Sequence, residues 1–520
     1  MSVVEESSRR RGGRAARREL RAAPIPREEA AVQPGMIGGR YKPLSDADMQ
    51  KIHSAALDIL ETVGLSDAVP SCVEAMTAAG CSVDGDGRVL IPRALVEDTV
   101  ANANRTFLLH GQDPKHDMSP HGSRVYFGTA GAAVHIAEPE TNTYRDSELC
   151  DLYDAGRIVD TCDHIHFYQR SVVARDMEDP RDLDINTCYA CVSATPKHVG
   201  TSFVMPEYVA EGLEMLHTIA GSEEAWRARP FVSMSCCFVV PPMKFAEDAC
   251  RTLEVAVRGG MPVLLLAAGQ AGATSPAALA GAVVQEVAEC LAGLIYVNAI
   301  VPGAPAIFGP WPFVSDLRTG AMSGGSGEQA LLTAGCAQMG QFYNLTTGSA
   351  AGMCDAKMPD IQAGYEKGLT AALAGTSGLN LVYESVGMHA SLLGFCHESL
   401  LIDNDMIGAI NRNVRGIEVN DDTLATEVIR QVCREGPGHF LGHEQTLGLM
   451  QSEYVYPDLG NRMSPKEWHE ADKPDIVKNA TARKKEIFAN HHLSHISDAV
   501  DAKVRENHDI KLPRSYMRAG

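Results

Sequence analysis

Short apolar runs alternate with helical stretches eight times between residues 124 and 384, and that rhythm confines the chain to a parallel βα series. Strands are expected over 124–128, 164–173, 198–204, 231–240, 262–268, 305–309, 345–349 and 379–384. Every interval can hold a crossover helix, most clearly 244–257, 275–301, 327–343 and 360–374. In the second of these, Leu279, Val283, Val287, Leu291, Leu294 and Ile295 trace one face; the first ends at Gly259 and Gly260, just before Pro262 opens a strand. An open sheet of eight strands would leave exposed edges, so the expected fold is an α/β (β/α)8 TIM barrel. It occupies residues 119–400. A helical cap (41–118) precedes it, opened by Ser45 before a stripe of Met49, Ile52, Ala56, Ile59, Leu60 and Val63 that stops at Gly64. A helical accessory region (401–520) follows, with a helix start at Ser464, Pro465 and Glu467.

Composition removes several functions. With 46 basic and 66 acidic residues the net charge is −20, so the surface repels phosphate backbones and anionic lipid; neither nucleic acid nor membrane is an expected partner. The exception is residues 1–40, a solvated, disordered tail in expectation, where Arg9, Arg10, Arg11, Arg14, Arg17, Arg18 and Arg21 crowd together. The longest apolar helix candidate, 277–301, carries Gln285, Glu286 and Glu289, which a lipid-facing span would not tolerate. Fourteen cysteines scattered singly read as buried small side chains in a reducing, cytoplasmic setting. Cys188 and Cys191 have no second C-x-x-C pair to complete a zinc site, and His439 and His443 sit beside Gly438 and Gly442 without an H-E-x-x-H motif. No metal site is expected, and no phosphate-binding glycine motif supports a nucleotide cofactor.

In a parallel barrel the residues that meet a substrate lie just past the carboxyl ends of the strands. Here these are Phe127 and Thr129; Tyr168, Gln169 and Arg170; Met205; Phe238; Gln270; Phe308 and Trp311; Asp355 and Lys357; and Tyr383, Glu384 and His389. Aromatic residues are 6% of the chain, yet Phe308, Trp311 and Phe313 cluster at the sixth strand, as either a wall for a cationic ligand or a rim packed on accessory helices. Ser326 and Gln329 form a capping-box pattern ahead of a helix whose free amides suit a carboxylate, or else close a rim loop. Glu384 and His389 are the catalytic candidates. Phe127, Tyr168, Arg170, Phe308, Trp311, Ser326, Asp355 and Tyr383 are the candidates for substrate binding.

Three stretches resemble one family. GGRYKPLSDADMQKIHSAALDILETVG near the start, DAKMPDIQAGYEKG and YESVG in the barrel, and GHFLGHEQTLGLMQSEYVYPDLGNRMSPKEW near the end are similar to the trimethylamine methyltransferases, corrinoid-dependent enzymes built on TIM barrels. Members that demethylate trimethylamine carry pyrrolysine in the barrel; this sequence has only standard residues there and resembles instead the glycine betaine methyltransferase group. The resemblance implies transfer of a methyl from a quaternary amine, with glycine betaine, carnitine or proline betaine as the substrate class, to cobalt of a separate corrinoid protein. A barrel that binds betaine without turnover is the other reading. No D-x-H-x-x-G segment of the cobalamin-carrying kind occurs, so the corrinoid is expected on a partner and not bound tightly by this chain. A homo-oligomer is expected.

Overall fold

The structure, a computed structural model, describes residues 26–436, 438–493 and 495–518. The arginines from Arg9 to Arg21 lie outside the described residues. Strands β1 (Arg124–Thr129), β2 (Phe167–Gln169), β3 (His198–Thr201), β4 (Val232–Cys236), β5 (Val263–Ala267), β6 (Ala306–Pro310), β7 (Gly348–Ala350) and β8 (Leu381–Val386) pair in parallel in the order 6-5-4-3-2-1-8-7. The two ends meet: Phe308 of β6 bridges Thr347 beside β7, its N–H donating to the Thr346 carbonyl at 2.8 Å. The sheet is therefore a barrel without an open edge, and each expected strand is present.

Helices Leu149–Asp160, Pro180–Ala194, Pro206–Ala220, Glu247–Arg258, Leu279–Ile300, Gly327–Tyr343, Ile361–Ser377 and His397–Arg415 follow the strands in turn. Inside the barrel the rings need room, and glycine supplies it. A Cβ on Gly128 of β1 would stand 2.1 Å from the Phe167 ring, so a side chain there would expel the phenylalanine that fills the interior. Lower in the barrel, His198 spans from the His110 carbonyl (2.8 Å) to the Ser233 hydroxyl (2.9 Å).

The N-terminal helices Asp46–Thr62, Pro70–Ala78 and Arg93–Asn102 pack on Leu279–Ile300. That helix is long and apolar enough to cross a membrane, but it is mostly buried between the barrel and these three helices, which accounts for apolar residues all round it. Ser45 and Asp48 form a reciprocal capping box at the first helix, as Ser464 and Glu467 do near the C-terminus. Residues 26–40, expected within the tail, fold against the barrel: Met36–Ile37 pairs antiparallel with Val125 and Arg124. Of the C-terminal helices, Ile476–Asn490 packs on His397–Arg415 and Asp498–Asn507 on Pro206–Ala220.

Candidate active site at the barrel mouth

Strand β8 builds the site because it is irregular. Its register against β1 shifts between Val382 and Val386, and Glu384 takes a left-handed backbone (φ 63°), a conformation costing a non-glycine residue about 1–2 kcal/mol. The bulge lets two consecutive residues serve the interior side of the sheet: the Tyr383 ring lies against Phe167 and over Gly348, and Glu384 reaches the Gly131 amide. Ser385 anchors it by donating to the Gly128 carbonyl at 2.6 Å.

Tyr383 stands in a row of rings. Its ring centroid is 4.9 Å from that of Phe167 below and 5.5 Å from that of Trp311, and Trp311 meets Phe313 edge-on at 6.3 Å. Trp311 is fixed by its indole N–H, which donates to the Gly348 carbonyl at 3.2 Å. The Tyr383 hydroxyl has no hydrogen-bond partner among the described residues, and its removal from water raises its pKa. Such rings present negative faces that attract an onium cation and offer it no competing hydrogen bonds.

The polar side of the mouth is formed by Glu384, Gln169, Arg170 and Asp184. Glu384 is buried and accepts from the Gly131 N–H at 2.9 Å. Burial pushes its carboxyl up to about 8, with the Gly131 amide, Lys367 and Arg170 pulling against that rise, so it is protonated at neutral pH. Arg170 is half-buried, and its guanidinium makes no side-chain hydrogen bond or ion pair among the described residues. Burial lowers its pKa, while Asp184 and Glu384 are among the groups that oppose this. Asp184, itself pushed up to about 6 by burial, accepts from the Val204 N–H at 2.6 Å. Gln169 donates to Ser235 at 3.2 Å and leaves its buried Oε1 unpartnered among the described residues, and the exposed Cys237 thiol lies within the field of Arg170. The arrangement is a neutral acid and an unpaired guanidinium beside an aromatic wall, suited to a ligand with a cationic head and an anionic tail.

Of the ten candidates, Arg170, Trp311, Tyr383 and Glu384 come together here. Phe127, Tyr168 and Phe308 do not; they point outward from the sheet. Phe127 abuts Gly375, Tyr168 donates to the Leu152 carbonyl at 2.6 Å, and Phe308 packs on Tyr343 at 5.9 Å, each partner lying on a surrounding helix. His389 is fully buried beyond the mouth, 3.3 Å from the Cys354 sulfur and 2.7 Å from the Ser399 hydroxyl, and burial drives its pKa well below the usual value. Both ring nitrogens are thus engaged inside the fold, and the ring does not join the group at the mouth.

Asp355 ties three rim loops together, accepting from the Gly324 N–H (2.7 Å), Ser323 (2.9 Å) and Ser391. Ser326 caps Gly327–Tyr343 by accepting from the Gln329 N–H at 3.2 Å; the Gln329 side chain turns to the Pro312 carbonyl, so only half of the expected box forms. Both line a rim groove of about 600 Å³. Phe167, Asp184, Gly131 and Cys237 stand among the candidate residues without having been expected from the sequence; Phe167 alone carried a signal, two residues before Gln169 on the same face of β2. Among the described residues, no group of three or more His, Cys, Asp or Glu side chains could hold a metal ion; Cys188 and Cys191 are buried in a helix.

Residues 10–511 match the family model described as trimethylamine methyltransferase. Trimethylamine methyltransferase MttB of Desulfitobacterium hafniense is 31% identical over 462 residues, 89% of this chain and 92% of that protein. Glycine betaine methyltransferase of Desulfitobacterium hafniense strain Y51 is 28% identical over 477 residues, 91% of this chain and 97% of that protein. Among solved structures, the monomethylamine methyltransferase of Methanosarcina barkeri aligns with 86% of this chain and 95% of its own, at 11% identity and a TM-score of 0.45.

Proposed function

Since the chain belongs to the trimethylamine methyltransferase family, we propose that it takes a methyl group from a small quaternary amine, glycine betaine foremost, and gives it to Co(I) of a corrinoid on a separate protein. The corrinoid protein is then a second substrate. A Co(I) nucleophile attacks the methyl carbon, the carbon–nitrogen bond breaks, and nitrogen keeps the electron pair as the neutral amine of dimethylglycine. No proton moves, so no strong general acid is required.

The chain's own contribution is to hold and dehydrate the cation. Trp311, Tyr383 and Phe313 receive the onium head, and Arg170 takes the carboxylate with the protonated Glu384 beside it. An ionised Glu384 would stabilise the bound ground state and slow departure of the methyl; a neutral one orients the ligand without that cost. The observation that carries this reading is the Arg170 guanidinium, unpaired among the described residues and within the field of Glu384, the residue next to Tyr383 of the ring row. Trimethylamine, lacking a carboxylate, would leave it unused.

Calorimetry with glycine betaine, carnitine, proline betaine and trimethylamine tests the substrate. Binding of glycine betaine with no heat from trimethylamine is expected. Silence with glycine betaine alongside tight binding of a bulkier betaine would reassign the substrate, and preference for trimethylamine would remove Arg170 from its role.

A further inference from the structure

Two carboxyls on Leu279–Ile300 remain unused by this chemistry. Glu286 and Glu289 are both fully buried, and each leaves its Oε2 without a hydrogen-bond partner among the described residues. Burying a carboxyl is costly, so its retention in a mostly apolar helix calls for a structural return. The other oxygens supply it. Glu286 Oε1 accepts from the Gly269 N–H at 2.6 Å, and Glu289 Oε1 from the Met243 N–H at 2.8 Å and from Gln285 at 3.2 Å. Burial first, and for Glu286 the neighbouring Glu289 next, raises both pKa values, and the Trp311 amide is close enough to oppose that rise at Glu286.

Gly269 is the residue at which this contact reaches the mouth. Its carbonyl accepts from the Phe313 N–H at 2.9 Å, and the Trp311 N–H donates to Ala267, two residues earlier, at 2.8 Å. The exit of β5 therefore holds both rings of the outer wall by their backbones, and Glu286 holds the exit of β5. The fit is tight: a Cβ on Gly269 would lie 2.5 Å from Glu286 Oε1.

We propose that Glu286 is a positioning residue for the onium site: from behind the barrel it fixes the Gly269 peptide and thereby where Trp311 and Phe313 stand. This rests on the reading of Trp311 as part of the ligand wall. It involves no contact between Glu286 and the substrate.

The test uses the full chain, read by difference emission of Trp311 and by glycine betaine titration. Trp226, buried against Phe231, and Trp468, near the C-terminus, serve as constant background. Glu286→Gln keeps an oxygen acceptor for Gly269, so it retains the emission and a Kd within about twofold. Glu286→Ala shifts the emission and raises Kd about tenfold, with kcat at saturating ligand held, because ring placement and not chemistry has changed. Gly269→Ala, which drives a methyl into Glu286, reproduces the shift and serves where Glu286→Ala does not fold. Unchanged emission and Kd in either of these two variants overturns the proposal, as does a glutamine variant no better than alanine. A shifted emission in Glu286→Ala, with no response of the unmutated chain to glycine betaine, upholds the positioning role and overturns the ligand.

Discussion

Glu384→Gln should flatten the pH dependence of stability, and the size of the effect follows from burial. The carboxyl is 2% exposed, so little solvent screening reduces it. Its folded pKa of about 8 lies above the ordinary 4.5. A raised acid keeps its full contribution below the unfolded value and loses it as pH climbs through the folded one, because the unfolded chain ionises first. At about 1.4 kcal/mol per unit, the loss is roughly 4–5 kcal/mol between pH 4.5 and 8, about 3 of it by pH 7. For a chain of 520 residues the unfolding entropy is about 1.1 kcal/mol/K, so 3 kcal/mol is about 3 °C in Tm. Other buried acids titrate in the same range and cancel when the variant is compared with the parent at each pH. Thermal melts at pH 5, 6, 7 and 8 should show Glu384→Gln gaining on the parent by about 2 °C from pH 5 to pH 7, since part of the loss is already in place at pH 5, and by more at pH 8. A constant difference across the range would refute a protonated Glu384.

Two further perturbations separate the halves of the ligand. Arg170→Met should weaken glycine betaine by about 1.5–3 kcal/mol, the worth of a charge-assisted contact, and leave tetramethylammonium untouched; equal losses for both by calorimetry would remove the guanidinium from the carboxylate site. Trp311→Ala should weaken both ligands by roughly 1–3 kcal/mol through lost cation–ring attraction and packing, and unchanged affinities would remove it from the wall.

The barrel was legible because its strands are runs of apolar residues bounded by glycine, proline and clear helix starts, such as Gly259 and Gly260 before Pro262. The site was legible in part, for a specific reason. Arg170 and Trp311 stand just past the ends of β2 and β6, which position along the chain identifies; Tyr383 and Glu384 were expected at the end of a strand but lie at the bulge inside β8, which runs on to Val386. Phe127, Tyr168 and Phe308 lie on strands buried on both faces, where alternation gives no sign of which side faces the interior; all three belong to the layer between sheet and helices. Asp184 sits a helix away from the strand end it serves, and Gly131 matters only because the bulge in β8 brings Glu384 to it; neither relation is written in local sequence.

Delivery of a methyl from a quaternary ammonium to cobalt is the activity proposed for this barrel mouth. Mixing the chain with glycine betaine and reduced corrinoid protein under strict anaerobiosis, and following the cobalt absorbance, tests it directly. Conversion of Co(I) to methyl-Co(III) is expected, with one dimethylglycine released per cobalt methylated. Saturable betaine binding with the cobalt spectrum unchanged for every quaternary amine offered would contradict it and leave a barrel that binds without turning over.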